Sequence, residues 1–157
     1  MSLTSQLEKE IALAGTSATN LAIQQQGDTL ICALAAIDSL GVSIHRLELQ
    51  STKLTGRSPE RLREVADNLA RRVSYLLEAI APIEIDDQAC TIQMRSTPPY
   101  RKENATSYYE VLVTAGGISL RRFSKSRGTA RQPEPFDLTR QVLYRLVDDF
   151  VAAAESA

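Results

Sequence analysis

The chain has few of the residues from which catalytic, redox and metal sites are usually built. It contains one histidine, His45, two cysteines and no tryptophan, and aromatic residues make up 5% of its 157 positions. Cys32 and Cys90 form no CxxC pair, so the sequence indicates neither a zinc site nor a disulfide-exchange motif. Each cysteine lies in an apolar pattern and is expected to be a small buried residue with a free thiol, in a reducing compartment.

Long apolar runs are also missing. No window reaches the roughly 18 to 20 apolar residues that a membrane span requires, and the N-terminus lacks a basic stretch followed by an apolar one. The sequence therefore predicts a cytoplasmic protein with no membrane partner. Its composition, 43% hydrophobic and 24% charged, is typical of globular proteins, and residues 1–157 are expected to form a single domain.

Phosphate and cofactor motifs are absent from the sequence. It has no GxGxxG or GxxxxGK[ST] pattern, and Gly116-Gly117 falls between two predicted strands, where no helix follows to receive a phosphate. His45 has no base or nucleophile beside it in the sequence. The adjacent acids belong to a predicted turn and a predicted helix surface: Asp86 and Asp87, and Asp148 and Asp149. No catalytic residue, cofactor or metal ligand is predicted.

The clearest helix signal lies in the middle of the chain. Ser58 precedes Pro59, which places a capping hydroxyl before a residue that needs no hydrogen-bond partner for its nitrogen. The apolar stripe that follows predicts a helix over 58–80, ended by Pro82.

Two further helices are predicted at the ends of the chain. Apolar residues three and four positions apart predict a first helix over about 3–26, with a break within 15–20 as the alternative. A last helix over about 137–154 is expected to be capped by Asp137.

The remaining apolar residues alternate with polar ones, as they do in strands. Residues 29–37 and 42–51 predict a β-hairpin with a bulge near His45. Apolar residues at period two between 83 and 124 predict a four-stranded meander: Ile83 and Ile85; Cys90, Ile92 and Met94; Tyr109, Val111 and Val113; and Ile118 and Leu120. The predicted fold is α+β, an antiparallel sheet (β-hairpin plus four-stranded meander) packed against about three helices in the order α-β-β-α-β-β-β-β-α.

Positive charge is concentrated in one segment. Residues 95–131 contain eight Arg or Lys and two acids, a charge of about +6, whereas the whole chain carries −1. In an antiparallel meander the loops 97–106 and 124–135 come to the same end of the sheet, so their charges are expected to converge. The residues expected to bind an anionic partner are Arg101, Lys102, Arg121, Arg122, Lys125, Arg127 and Arg131. A guanidinium group suits this role because it donates two parallel hydrogen bonds to a carboxylate or phosphate.

These features favour a non-enzymatic protein-interaction module, of chaperone or adaptor type, that binds an acidic protein or a second copy of itself. The order of elements resembles that of small α+β secretion chaperones, but no motif of such proteins is present and no family is assigned. Binding of nucleic acid or another polyanion through residues 95–131 is the alternative, weakened by a chain that is not basic overall and has no nucleic-acid-binding motif. An enzyme without a recognisable motif is the third hypothesis.

Overall fold

The computed structural model describes residues 1–76 and 78–157, and within them three α-helices and ten strands of one antiparallel sheet. The elements are α1 (Leu3–Ala14), β1 (Thr19–Gln25), β2 (Asp28–Ile37), β3 (Gly41–Ser51), α2 (Pro59–Arg72), β4 (Ile80–Asp86), β5 (Thr91–Ser96), β6 (Tyr100–Lys102), β7 (Ala105–Thr114), β8 (Gly117–Ser126), β9 (Gln132–Glu134), β10 (Phe136–Thr139) and α3 (Arg140–Glu155). The fold is α+β, as the sequence predicts. Across the described residues every helix is too short or too polar to span a membrane.

The predicted hairpin and meander belong to one continuous sheet. Its main strand order is β1-β2-β3-β8-β7-β5-β4. β3 joins the two halves, because its residues Leu47 to Gln50 pair with Leu120 to Gly117 of β8. Where these two strands separate, β10 pairs with the first half of β3 and β9 pairs with the second half of β8.

The helices cover one face of the sheet. Side chains on that face are buried along every central strand: Leu30, Cys32, Leu47, Leu49, Ile92, Met94, Val111, Val113, Ile118 and Leu120. α3 packs against α1 and α2 and over β3 and β8, and its Phe150 is buried. The opposite face, called the open face below, carries half-buried and exposed side chains such as Ile31, Leu112 and Arg121.

The hairpin of β2 and β3 has the predicted bulge. Ala33 pairs with Arg46 and Leu34 pairs with Ile44, so His45 is the extra residue on β3. The two halves of this strand carry apolar residues of opposite parity. The bulge brings both sets to the buried face, which explains why the sequence needs it.

The first helix is shorter than the prediction of 3–26. It ends at Ala14, and Gly15 follows with a positive φ of 66°. Residues Thr19–Gln25 are a strand at the edge of the sheet, where Ile23 is buried. Pairing with β2 satisfies their backbone groups, so tertiary contacts decide the conformation of a segment whose apolar spacing also suits a helix.

The second helix begins after Ser58 as predicted, but it ends at Arg72 instead of residue 80. Val73 and Leu76 remain buried in the turns that follow, so the apolar stripe continues beyond the helix. The next residues are needed for β4, which pairs with β5. Leu77, which the predicted helix included, lies outside the described residues.

The last helix begins later than predicted. Thr139 is its N-cap, since the side-chain oxygen of Thr139 accepts a hydrogen bond from the backbone N–H of Val142. Asp137, the predicted cap, lies in β10 opposite Ser43 of β3. The buried residue Leu138 holds this segment in the sheet, which delays the start of the helix.

Candidate functional site

A buried carboxylate lies in the middle of the open face. Glu110 of β7 is 5% exposed. Its Oε2 accepts hydrogen bonds from Gln93 Nε2 at 2.8 Å and from Arg131 Nη1 at 2.6 Å. In the register of the sheet, Glu110 lies between Arg95 of β5 and Arg121 of β8. Arg131 is therefore ion-paired with this carboxylate, and Arg95 and Arg121 flank it on the neighbouring strands. The four side chains form an arginine-rich cluster with a net positive charge.

Two aromatic rings lie beside this carboxylate, and each is covered by an arginine. Tyr108 and Phe123 are opposite each other on β7 and β8, with ring centroids 6.1 Å apart. The Cζ atom of Arg95 lies 4.5 Å from the centre of the Tyr108 ring, and that of Arg131 lies 3.8 Å from the centre of the Phe123 ring. Hydrogen bonds to Tyr108 and Glu110 raise the pKa of Arg131 above its ordinary value. The rings thus help to hold the guanidinium groups of Arg95 and Arg131 in place over the sheet.

Two grooves flank Arg131 on this face. One, of about 500 Å³, lies over β3, β8 and β7 and is bordered by Glu48, Leu112 and Arg121. The other, of about 530 Å³, lies over β5, β7 and β8 and is bordered by Lys125. Arg131 borders both grooves, because the loop 127–131 between β8 and β9 brings it back across the sheet.

Four of the seven predicted anion-binding residues share the open face. Arg121 and Lys125 alternate along β8 with the same parity, and Arg131 reaches the same side from its loop. Arg101 joins them, because Thr106 of β7 pairs with Lys125 on one side and with Arg101 of β6 on the other. These four side chains therefore lie on one surface.

Lys102 and Arg127 occupy other positions. Lys102 is exposed and pairs with Ala105, so it has the opposite parity from Arg101. Arg127 is exposed in the loop after β8, and its backbone N–H donates to the carbonyl oxygen of Asn104 at 3.2 Å. This hydrogen bond ties together the two loops that were expected to meet at one end of the sheet.

Arg122 lies on the helix-covered face, because consecutive strand residues point to opposite sides. Its guanidinium is 3.0 Å from the carboxylate of Glu78 and 3.1 Å from that of Glu134, and its side chain is 12% exposed. Its Cζ atom also lies 4.5 Å from the centre of the Tyr109 ring. Arg122 thus has internal partners, and the sequence pair Arg121-Arg122 is divided between the two faces.

Arg95 and Glu110 belong to the basic segment 95–131 but are not among the residues predicted to bind an anion. The signal for them is the register of the apolar rows. Met94, Val111 and Leu120 form one row across three strands on the buried face. The adjacent row, on the open face, must then contain Arg95, Glu110 and Arg121. Aligning the apolar residues of the predicted strands would therefore have placed these three residues together.

The remaining side chains that could take part in catalysis or bind a metal do not lie together. His45 is exposed at the bulge of β3. Asp86 accepts hydrogen bonds from the backbone N–H groups of Gln88 and Ala89 and so closes a turn. Within residues 1–76 and 78–157, no group of three or more His, Cys, Asp or Glu side chains is placed to hold a metal ion.

Both cysteines have free thiols. Cys32 is fully buried under the helices, and burial raises the pKa of its thiol to about 12. It is therefore protonated at neutral pH and is a poor nucleophile. Cys90, predicted to be buried, is only half-buried, and it lies in the turn before β5 with a positive φ of 50°.

The fold and the site together define an α+β domain with three helices on one face of an antiparallel sheet and an arginine-rich cluster on the other. Comparisons with known proteins give no match, whether with family models, with curated proteins or with solved structures.

Proposed function

We propose that this protein is a non-enzymatic protein-binding module, of adaptor or chaperone type, that receives an acidic extended segment of a partner on its open face. One observation carries the proposal. Arg131 is ion-paired with Glu110 between two open grooves, and Arg95 and Arg121 flank Glu110 on the neighbouring strands. Because strands and aromatic rings already hold two of these arginines in place, little conformational entropy is lost when a partner binds.

The spacing of the exposed cations suits an extended chain. Arg121 and Lys125 lie four residues apart on β8, a separation of about 13 Å along a strand. A segment lying along β8 would therefore meet them with acidic side chains at positions i and i+4. The guanidinium of Arg121 can donate two parallel hydrogen bonds to one such carboxylate.

The aromatic residues favour a protein partner over a nucleic acid. Single-stranded nucleic acids bind through bases that stack on free aromatic faces. Here Tyr108 and Phe123 are buried and already covered by Arg95 and Arg131. The net charge of −1 also gives little long-range attraction for a polyanion.

The groove beside Tyr108 suits binding better than catalysis. Its border consists of cations, amide and hydroxyl groups and a proline: Gln93, Arg95, Pro99, Thr106, Tyr108, Lys125 and Arg131. A nucleophile paired with a base is the usual basis of covalent catalysis. The residues described at the border of this groove form no such pair, and their cations suit the binding of an anion.

The test uses a labelled polyglutamate peptide as probe and measures its binding to the full chain by fluorescence anisotropy. Replacing Arg121→Glu together with Lys125→Glu is expected to weaken binding by about tenfold or more, equivalent to about 1.4 kcal/mol. Arg63→Glu, an exposed site on α2, is the control and is expected to have little effect. Raising the salt concentration should weaken the wild-type interaction.

Three results would contradict the proposal: no binding of polyglutamate, equal losses for the control, or equal binding of a neutral polyglutamine peptide. Much tighter binding of a single-stranded oligonucleotide, lost in the same double variant, would assign the cluster to polyanions.

A further inference from the structure

The two outermost strands of the main strand order, β1 and β4, are protected to different degrees. At the β4 edge, Pro82 removes a backbone donor and the pairing with β5 shifts between Pro82 and Glu84. Glu84 is exposed, as are Ile83 and Asp86. Proline, bulges and charged side chains are the devices that keep an edge strand from pairing with another chain.

The opposite edge, β1, has none of these devices. Residues 16–27 contain no charged residue and no proline. β1 pairs with β2 on one side, and in the described part of the chain no strand pairs with its other side. The side chains of Asn20, Ala22 and Gln24 are exposed. An uncharged, exposed edge of this length is a template for strand addition.

The turn after β1 fixes which backbone groups are free. Gln26 and Gly27 have φ of 48° and 84°, the type I′ geometry of a two-residue hairpin loop. In such a hairpin the residues on either side of the loop, Gln25 and Asp28, exchange backbone hydrogen bonds. The N–H and C=O groups of alternate residues then face outward, and these are the groups of Asn20, Ala22 and Gln24.

We propose that a second copy of this chain pairs antiparallel with this edge, with the two-fold axis at Ala22. This register places Asn20 opposite Gln24 of the second copy and Ala22 opposite Ala22 of the second copy. It forms about six backbone hydrogen bonds and satisfies every outward group of β1. The side chains meet without conflict, because small alanines lie at the axis and amide groups face each other on either side.

A second copy fits this edge better than a foreign segment for two reasons. A two-fold axis brings each residue near its own counterpart, so any charge at the centre would repel itself, and residues 16–27 carry none. The pairing is also closed, since it joins the uncharged β1 edges of the two copies and leaves the protected β4 edges outside.

The helix next to this edge offers further apolar surface on the helix-covered side. α1 packs against β1, and Leu13 near its end is 81% exposed. Pairing through β1 brings the α1 helices of the two copies to the same side of the joined sheet. This inference does not rest on the proposed function, because β1 and the arginine cluster belong to different strands.

The test measures the mass of the full chain by sedimentation velocity from low to high micromolar concentration. The wild type is expected to reach twice the mass of one chain. Ala22→Lys and Ala22→Glu should each be monomeric, because each places like charges at the two-fold axis. A mixture of the two variants should again dimerise, since the charges are then opposite. Glu84→Lys on the β4 edge is the matched control and should remain dimeric.

A wild type that stays monomeric throughout the range would overturn the proposal, as would single variants that still dimerise or a mixture that does not. Circular dichroism checks that each variant is folded. A second measurement covers variants that fail to fold: in a Cys90→Ala background, Ala22→Cys should form a disulfide between copies under mild oxidation, because directly opposite residues have Cα atoms about 5.5 Å apart. Absence of that cross-link would also overturn the proposal.

Discussion

At the scale of single residues, the cost of burying Glu110 explains the arrangement around it. An ionised carboxylate that is only 5% exposed would be strongly unfavourable without partners. Gln93 and Arg131 both donate to its Oε2 atom. Arg131 comes from a loop 21 residues further along the chain, so the carboxylate also fixes where that loop lies.

The ion pair between Arg131 and Glu110 is expected to contribute to stability. Arg131→Gln should lower the free energy of unfolding by about 1–2 kcal/mol, less than the loss of a fully buried partner, because Arg131 is 42% exposed. Urea denaturation measures the change. Glu110→Gln in the same chain should recover part of the loss, since no charge then lacks a partner. Purely additive effects of the two substitutions would show that the pair is not coupled.

The buried thiol of Cys32 is expected to make the protein less stable at alkaline pH. The ordinary pKa of a cysteine thiol is 9.0, and burial raises the pKa of Cys32 to about 12. Above pH 9 the unfolded chain therefore releases a proton that the folded chain keeps, so stability must fall as pH rises, by up to about 1.4 kcal/mol per pH unit. Burial also raises the pKa of Tyr75, which acts in the same direction at higher pH.

The pH dependence of the stability of the Cys32→Ala variant tests this expectation. The substitution lowers stability at neutral pH through lost packing, but between pH 9 and 10 the free energy of unfolding should decline less steeply than in the wild type. Urea denaturation at a series of pH values measures both curves. Parallel curves would mean that the thiol does not contribute to the alkaline loss.

At the scale of elements, apolar parity predicted the strands and failed at segments with two possible conformations. β2, β3, β5, β7 and β8 follow period-two patterns, and the bulge at His45 follows from a change of parity. The apolar spacing of residues 19–25 is compatible with a helix or a strand, and pairing with β2 makes this segment a strand. The predicted second helix likewise ends early, in turns after Arg72, and its last residue, Ile80, begins the strand that pairs with β5.

The candidate site was also only partly predictable from the sequence, because tertiary contacts decide which arginines are free to bind. Charge counting found Arg121, Lys125 and Arg131, which do lie on one face. It could not exclude Arg122, whose partners Glu78 and Glu134 come from distant segments. Because consecutive strand residues point to opposite faces, the sequence alone could have separated Arg121 from Arg122. The internal ion pairs of Arg122 could be found only from the tertiary fold.

The junction of the two halves of the sheet gives the element-scale prediction. A Cβ atom at Gly117 would overlap the carbonyl oxygen of Leu49, because β3 and β8 approach closely there. Gly117→Ala should therefore cost about 2 kcal/mol or more of stability. Gly116→Ala is the matched control, since its nearest neighbour would be Thr114 Oγ1 at 3.7 Å, an ordinary contact. Thermal unfolding compares the two, and equal effects would exclude close strand approach as the cause.

At the scale of the whole molecule, the two proposed surfaces lie far apart on one sheet. From β1 to β7 there are four strand spacings, about 19 Å, which exceeds the screening length of about 8 Å at physiological salt. Pairing through β1 keeps the open faces of both copies on the same side of the joined sheet. A dimer would then present two arginine clusters to one partner, which would strengthen binding of a partner with two acidic segments.

This separation predicts that each surface can be removed without the other. Ala22→Lys should abolish dimerisation while leaving the affinity of each chain for a short polyglutamate peptide unchanged, because the substitution lies well beyond the screening length from Glu110 and its arginines. Arg121→Glu with Lys125→Glu should weaken peptide binding by about tenfold or more and leave the dimer intact. Sedimentation velocity and fluorescence anisotropy on both variants supply the four measurements. If either variant lost both properties, the arginine cluster and the β1 edge would have to be parts of one interface.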